Sequence, residues 1–181
     1  YISVTGVQTC ALPIYGITAD LGEASGSSFS SSGIYLAWND QGDVINIRDS
    51  IAGVTLPTQI RSYSWSLADN GLIAYQGPDL NIYMYSSGQT TQITSGSLYQ
   101  NLNPLTDGIN TAFVVADQSC QNCTDRTNSL WLHTGGANIQ LTQPIPAGNL
   151  TSISPKTDYL LNRGWVAFTK SPGGYQGVQV W

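Results

Sequence analysis

Few residues in this chain have types and spacings that could do chemistry. The first candidates are Cys120 and Cys123, in the run Cys120-Gln121-Asn122-Cys123. Two thiols at this spacing can close a local disulfide, give two ligands to zinc, or form a redox pair. A structural zinc site takes four ligands. His133, the sole histidine, lies ten residues past Cys123 and offers a third, but no fourth is visible. A redox Cys-x-x-Cys opens a helix in a βα context, whereas this pair lies in a polar stretch between two strand-like runs. The setting favours a disulfide that pins a long exposed loop, with two unpaired thiols as the alternative.

Other candidates are weaker. His133 alternates with Trp131 along Leu130-Trp131-Leu132-His133-Thr134, which reads as a strand. With one histidine and no Gly-x-Ser-x-Gly elbow, no Ser-His-Asp triad can be drawn. Asn39-Asp40-Gln41-Gly42-Asp43 crowds oxygen atoms into one turn, as calcium loops do, but no bidentate Glu follows; a polar hairpin turn explains it equally. The Asp residues are scattered through turns, so no carboxylate pair for glycoside hydrolysis can be named. Leu67 stands two residues before Asp69, where a sialidase Asp-box has Ser or Thr. No catalytic, cofactor or metal residue is therefore assigned, and no cofactor is expected. The Asn-x-Thr runs at Asn122 and Asn149 matter only in a eukaryote that secretes the protein.

The elements that would carry these residues form a repeat. Four times an apolar strand places Ala before an aromatic: Ala37-Trp38, Ala74-Tyr75, Ala112-Phe113 and Ala167-Phe168. A turn and a second apolar strand follow: Ile45-Asn46-Ile47, Ile82-Tyr83-Met84-Tyr85, Leu130-Trp131-Leu132 and Val178-Gln179-Val180-Trp181. A third element closes three units: Thr58-Gln59-Ile60, Thr91-Gln92-Ile93-Thr94 and Ile139-Gln140-Leu141-Thr142. Successive alanines are 37, 38 and 55 residues apart. The offset from Ala to second strand is 8 in units one and two, 18 in unit three and 11 in unit four. Ten extra residues therefore lie in the unit-three hairpin, around the two cysteines; the remainder lie between units three and four, around 143–149 and 158–164.

Short strands in units near 40 residues, separated by turn signals, are the pattern of β-propeller blades. Such a sheet cannot bury both faces alone but can when packed between neighbours. The expectation is an all-β fold: a β-propeller fragment of about four consecutive four-stranded blades, in units at roughly 15–60, 61–94, 95–142 and 143–181. Four units of this kind leave an open arc rather than a closed ring. The in-register aromatics Trp38, Tyr75, Phe113 and Phe168 are expected in the core, and Tyr83, Tyr85 and Trp131 partly at the surface.

Composition excludes several functions. Only 9% of the 181 residues are charged and the net charge is -5. Nucleic-acid binding needs a basic face, so none is expected. No apolar run approaches the length of a membrane-spanning helix.

The order of Ser/Pro turn, Ala-aromatic strand, Asp-x-Asn-Ile-Tyr and Gln-Ile-Thr resembles the TolB-like β-propeller repeat. Unit two carries it most fully: Trp65-Ser66, Asp69-Asn70-Gly71, Ile73-Ala74-Tyr75, Asp79-Leu80-Asn81-Ile82-Tyr83 and Gln92-Ile93-Thr94. Residues 4–14 (VTGVQTCALPI) resemble a translated sequencing adapter, so residues 1–14, Cys10 included, are read as non-native and the chain as a fragment of a longer one. Low Lys, abundant Ser, Thr, Gly and Asn, and the Cys-x-x-Cys loop point to the extracytoplasmic side: secreted, cell-surface or periplasmic. The expected role is a non-catalytic interaction module of a bacterial protein, with a protein or glycan as partner through its loop face. The alternative is the accessory propeller of a larger enzyme, such as a prolyl-oligopeptidase-type peptidase.

Overall fold

The computed structural model describes residues 9–14, 17–23, 29–96, 99–117, 127–146, 159–170 and 176–180. Among them there are strands and turns and no helix. β1 (Thr9–Ile14) and β2 (Ile17–Glu23) pair with each other as a separate two-stranded sheet. Four further antiparallel sheets follow in chain order, each a meander. The first holds β3 (Phe29–Ser32), β4 (Tyr35–Asn39), β5 (Val44–Asp49) and β6 (Val54–Arg61). The second holds β7 (Trp65–Leu67), β8 (Ile73–Gln76), β9 (Ile82–Ser86) and β10 (Gln89–Gln92). The third holds β11 (Tyr99–Thr106), β12 (Thr111–Asp117), β13 (Thr127–Thr134) and β14 (Ala137–Gln140). It also gains β15 (Ile145–Pro146), which pairs with the start of β13. The fourth sheet holds β16 (Tyr159–Asn162), β17 (Trp165–Lys170) and β18 (Gln176–Val180).

The sheets stack through their faces. Paired residues point to the same side of a sheet, and neighbours along a strand to opposite sides. In sheet two, Ile73 and Tyr75 on β8 pair with Tyr85 and Tyr83 on β9. These side chains pack with Ala37, Ile45 and Ile47 of sheet one. The opposite face carries Ala74, Met84 and Ile82, and Ile82 packs with Phe113 of sheet three. Sheet three repeats the rule: Phe113 faces sheet two, while Ala112 and Val114 pack with Tyr159, Val166 and Phe168 of sheet four. In units two to four the aromatic thus faces the preceding sheet, and in units one to three the Ala faces the following one. Ala37, Ala74 and Ala112 are fully buried, and a small residue there lets the next sheet close in over the larger side chains beside it.

The first strands of neighbouring sheets lie side by side, β3 with β7, β7 with β11 and β11 with β16. They form the inner side of an arc. The outermost strands β10 and β14 are exposed along their whole length. Four antiparallel meanders stacked face to face behind their first strands are consecutive β-propeller blades, and we call them blades one to four. Among the described residues no strand of blade four pairs with one of blade one. On the face of blade four turned from blade three, Trp165 is 63% and Leu160 53% exposed. The arc is open.

Polar contacts repeat at each junction. The turns between first and second strands touch around the inner rim: the Ser32 hydroxyl donates to the Asp69 carboxylate, Asn70 Nδ2 donates to Gly108 O at 3.0 Å, and Gly164 N donates to Asp107 Oδ2 at 2.6 Å. The Gln-Ile/Leu-Thr element has a local cause. Thr94 Oγ1 accepts the Ile82 N–H at 2.8 Å and Thr142 Oγ1 the Leu130 N–H at 3.0 Å, anchoring the end of each outer strand to the third strand. Gln92 Nε2 and Gln140 Nε2 each donate to the carbonyl of that same Thr at 2.7 Å.

Gly108 sits at φ +94, and a Cβ there would lie 2.6 Å from Asn70 Oδ1. Gly88 has a similar φ of +83 with nothing within 4 Å. Left-handed backbone costs an L-residue about 1–2 kcal/mol. Gly88→Ala should therefore lose about that much stability in a denaturant melt. Gly108→Ala should lose clearly more, because it also pushes Asn70 off the Gly108 carbonyl; equal losses would contradict the turn contact. Burial raises the pKa of Asp107, but donation from the Asn110, Gly164 and Ile109 N–H groups and the Asn110 amide outweighs it, holding the carboxyl below its ordinary value. A depressed folded-state pKa gives stability that is complete above the unfolded value, near 3.9, and is lost as pH falls through the folded one. The gap in Tm between the protein and its Asp107→Asn variant should be full at pH 6 and shrink below about pH 4, as thermal melts across that range would measure.

Candidate binding cleft

Blade three is taller than blade two. β8 has 4 residues and β9 has 5, whereas β12 has 7 and β13 has 8. Ile82 and Leu130 hold equivalent places, since the N–H of each binds the Thr that ends its outer strand. Measured from the paired positions Ala74 and Ala112, β8 stops at Gln76 while β12 continues to Asp117. β13 likewise begins three residues before Leu130, at Thr127. Three residues of strand reach ~10 Å, so the top of blade three overhangs blade two. The extra residues of the unit-three hairpin produce this overhang. β15 belongs to the same feature: β14 pairs with β13 only from Trp131 onward, and Ile145–Pro146 pairs with the free front end of β13 at Thr127 and Asn128.

Val115, Asp117, Thr127 and Ser129 are the overhanging residues that face blade two, and no strand of blade two stands opposite them. With the segment Ile93–Ser95 leaving blade two, they enclose a cleft of about 450 Å³. That is within the size range of small-molecule sites. Phe113 and Ile93 are buried at its apolar side, and Asn101 at its inner side. Trp131 lines the cleft, half-buried against Ile93 and Phe113, with its indole N–H donating to Ser129 Oγ at 2.9 Å. Asn138 Nδ2 ties the two blades by donating to Ile93 O at 2.7 Å. Gln140 lies beside Trp131 in the β13–β14 pairing, exposed, and fixed through its amide nitrogen to Thr142 O. Asn101 Nδ2 reaches Leu80 O at 3.2 Å and Asn81 Oδ1 at 3.3 Å, and Gln76 donates through its side chain to Asn101 O. The cleft is thus a half-apolar, half-polar slot whose side chains are held by bonds within blade three and across the blade junction.

Cys120 and Cys123 lie outside the described residues, as do Asn122 and Asn149. His133 lies in β13, its Nδ1 2.7 Å from Asn138 Oδ1. The oxygen-rich turn at Asn39–Asp43 is stapled by its own groups: Asp40 Oδ1 accepts from Gly42 N at 2.8 Å and Val44 N at 3.0 Å. Asn39, buried, donates to Asp43 O and Ser62 O and accepts from Trp65 Nε1 at 2.6 Å, so it ties blade one to blade two. The Asp-x-Asn-Ile-Tyr run is also a stapled turn. Asp79 accepts from Asn81 N, Asn81 Nδ2 and the Tyr83 hydroxyl. Its carboxyl is held below the ordinary value, chiefly by the Asn81 side chain and, against some burial, by Tyr83. Tyr83 in turn stacks on Tyr75, ring centroids 5.5 Å apart. Among the described residues no three His, Cys, Asp or Glu side chains gather as metal ligands.

No family model matches the chain, and no curated protein matches it. Among solved structures, the chain is similar to the N-terminal domain of Nup159, at a TM-score of 0.48 and 10% identity over 91% of this chain and 52% of that one. The chain thus spans about half the length of that domain.

Proposed function

We propose that the chain is a non-catalytic binding module of a secreted or cell-surface bacterial protein, and that its ligand enters the cleft between blades two and three. The overhang of β12 and β13 carries this reading. Val115 and Trp131 of the lengthened hairpin pack on Ile93 and Phe113 at the base of the cleft, and above them Asp117, Thr127 and amide side chains line a concave slot; concave slots with a few fixed polar groups are where ligands bind. The sparse charge and Ser/Thr/Asn-rich surface support an extracytoplasmic setting, as does the Cys120–Cys123 pair read as a disulfide. The TolB-like run of unit two supports kinship with that repeat family. Fold alone assigns no function, so the reading rests on the cleft. The test is a retention assay: the full chain is immobilised and exposed to a panel of purified polysaccharides, peptides and proteins. A ligand should be retained intact, and retention should weaken in Gln140→Ala, a substitution at an exposed strand position. Conversion of the retained ligand, or retention indifferent to every cleft substitution, would refute the reading.

A further inference from the structure

The chemistry of the cleft narrows its ligand class, on the premise that the cleft is the binding site. We propose that it takes an uncharged carbohydrate.

Three observations converge. First, Trp131 gives the cleft a flat apolar surface. Its N–H already donates to Ser129 Oγ, so what it offers a ligand is ring rather than hydrogen bond. The matching partner is a face of C–H groups, which a sugar ring presents while its hydroxyls point outward around the rim. Second, the groups around Trp131 are hydroxyls and amides: Thr127, Ser129, Asn101 and Gln140. Such groups both donate and accept, as sugar hydroxyls do. The Gln140 amide nitrogen is fixed on Thr142 O, which leaves its carbonyl oxygen as an oriented acceptor. Third, the charge is wrong for an anion. Asp117 is the only charged side chain among the described lining residues, and the chain carries a net -5. A uronate, sialate or phosphorylated sugar finds no cationic side chain among the described lining residues and approaches a chain of net negative charge.

A peptide is the competing macromolecule, and the backbone disfavours it. A peptide that binds as an added strand needs an exposed sheet edge. The wall of this cleft is a sheet face: β12 is paired by β11 and β13, and β13 by β12, β14 and β15. Their main-chain groups are spent in the ladder, so the wall offers a ligand side chains only.

The experiment is titration of the full chain, by calorimetry and by quenching of tryptophan fluorescence. The probes are neutral glucan, galactan, mannan and chitin oligosaccharides, oligogalacturonate, and a mixed peptide library. A neutral oligosaccharide should bind saturably. Gln140→Ala should weaken it several-fold and Trp131→Ala at least ten-fold, with Trp131→Phe keeping part of the affinity. Because Trp131 also packs on Phe113, each variant is checked for an unchanged thermal melt; should Trp131→Ala melt early, Trp131→Phe and Gln140→Ala carry the test. Asp117→Asn should raise affinity for oligogalacturonate relative to the parent chain. Tighter binding of oligogalacturonate than of every neutral probe by the parent chain would overturn the proposal. So would neutral binding that no cleft variant alters. Peptide binding that Gln140→Ala weakens, with no saturable neutral glycan, would overturn the carbohydrate assignment and leave the binding-module reading standing. No saturable ligand of any class would overturn both.

Discussion

Each blade junction rests on one alternation at the centre of each sheet. On the second strand of blades one to three, an Ala points to the following blade and the adjacent aromatic to the preceding side. The strand geometry forces this, because successive side chains leave a strand on opposite faces. The consequence is that neither face of a blade is complete alone. The aromatic Phe113 buries itself only against the Ile82 face of blade two, and Val166 and Phe168 only against the Ala112 face of blade three. Full burial of one such side chain contributes about 1.5–3 kcal/mol, and each junction assembles several. Stability is therefore carried between neighbours, as in other repeat arrays, and on the face of blade four turned from blade three Trp165 and Leu160 lie in solvent.

Polar contacts fix the register of that packing. Turn bridges on the inner rim hold all three junctions, and the Asn39, Gln76 and Asn138 bonds add a second level at the first two. Apolar packing is non-directional and would tolerate sliding of one sheet over the next. Bonds such as Asn70 to Gly108, or Trp65 to Asn39, do not. Asp107 goes further, accepting from its own turn and from Gly164 of the next blade. With the junctions held this firmly, an overhang on one blade becomes a defined cleft rather than a loose hairpin.

Much of this was legible in the residues. The Ala-aromatic strands, their second strands and the third elements fall where the repeat places them, and the four blades follow in that order. The offset of 18 residues from Ala112 to Leu130 located the insertion. Its effect was not legible. Sequence spacing counted the unit-three insertion and the extra residues after Thr142 as two separate additions. In space the two meet in part, because β15 (Ile145–Pro146) pairs with the start of the lengthened β13. The cleft also escaped notice, since Asp117, Thr127 and Gln140 form no motif. They meet only because one strand pair outruns the blade beside it. Trp131 alone carried a signal: a large aromatic on the strand face that alternation could not assign. The oxygen-rich turn at Asn39–Asp43 was ambiguous for a related reason, as residue types cannot tell a ligand oxygen from one already accepting a backbone N–H.

The central claim is that the blades are coupled only through adjacent junctions. A pair of double-mutant cycles in denaturant melts tests it most directly. Ile82→Val with Phe113→Leu spans one junction and should show a coupling energy of at least about 0.5 kcal/mol. Ile82→Val with Phe168→Leu spans two and should be additive to within about 0.5 kcal/mol. Additivity in the first cycle, or coupling in the second as large as in the first, would contradict the account.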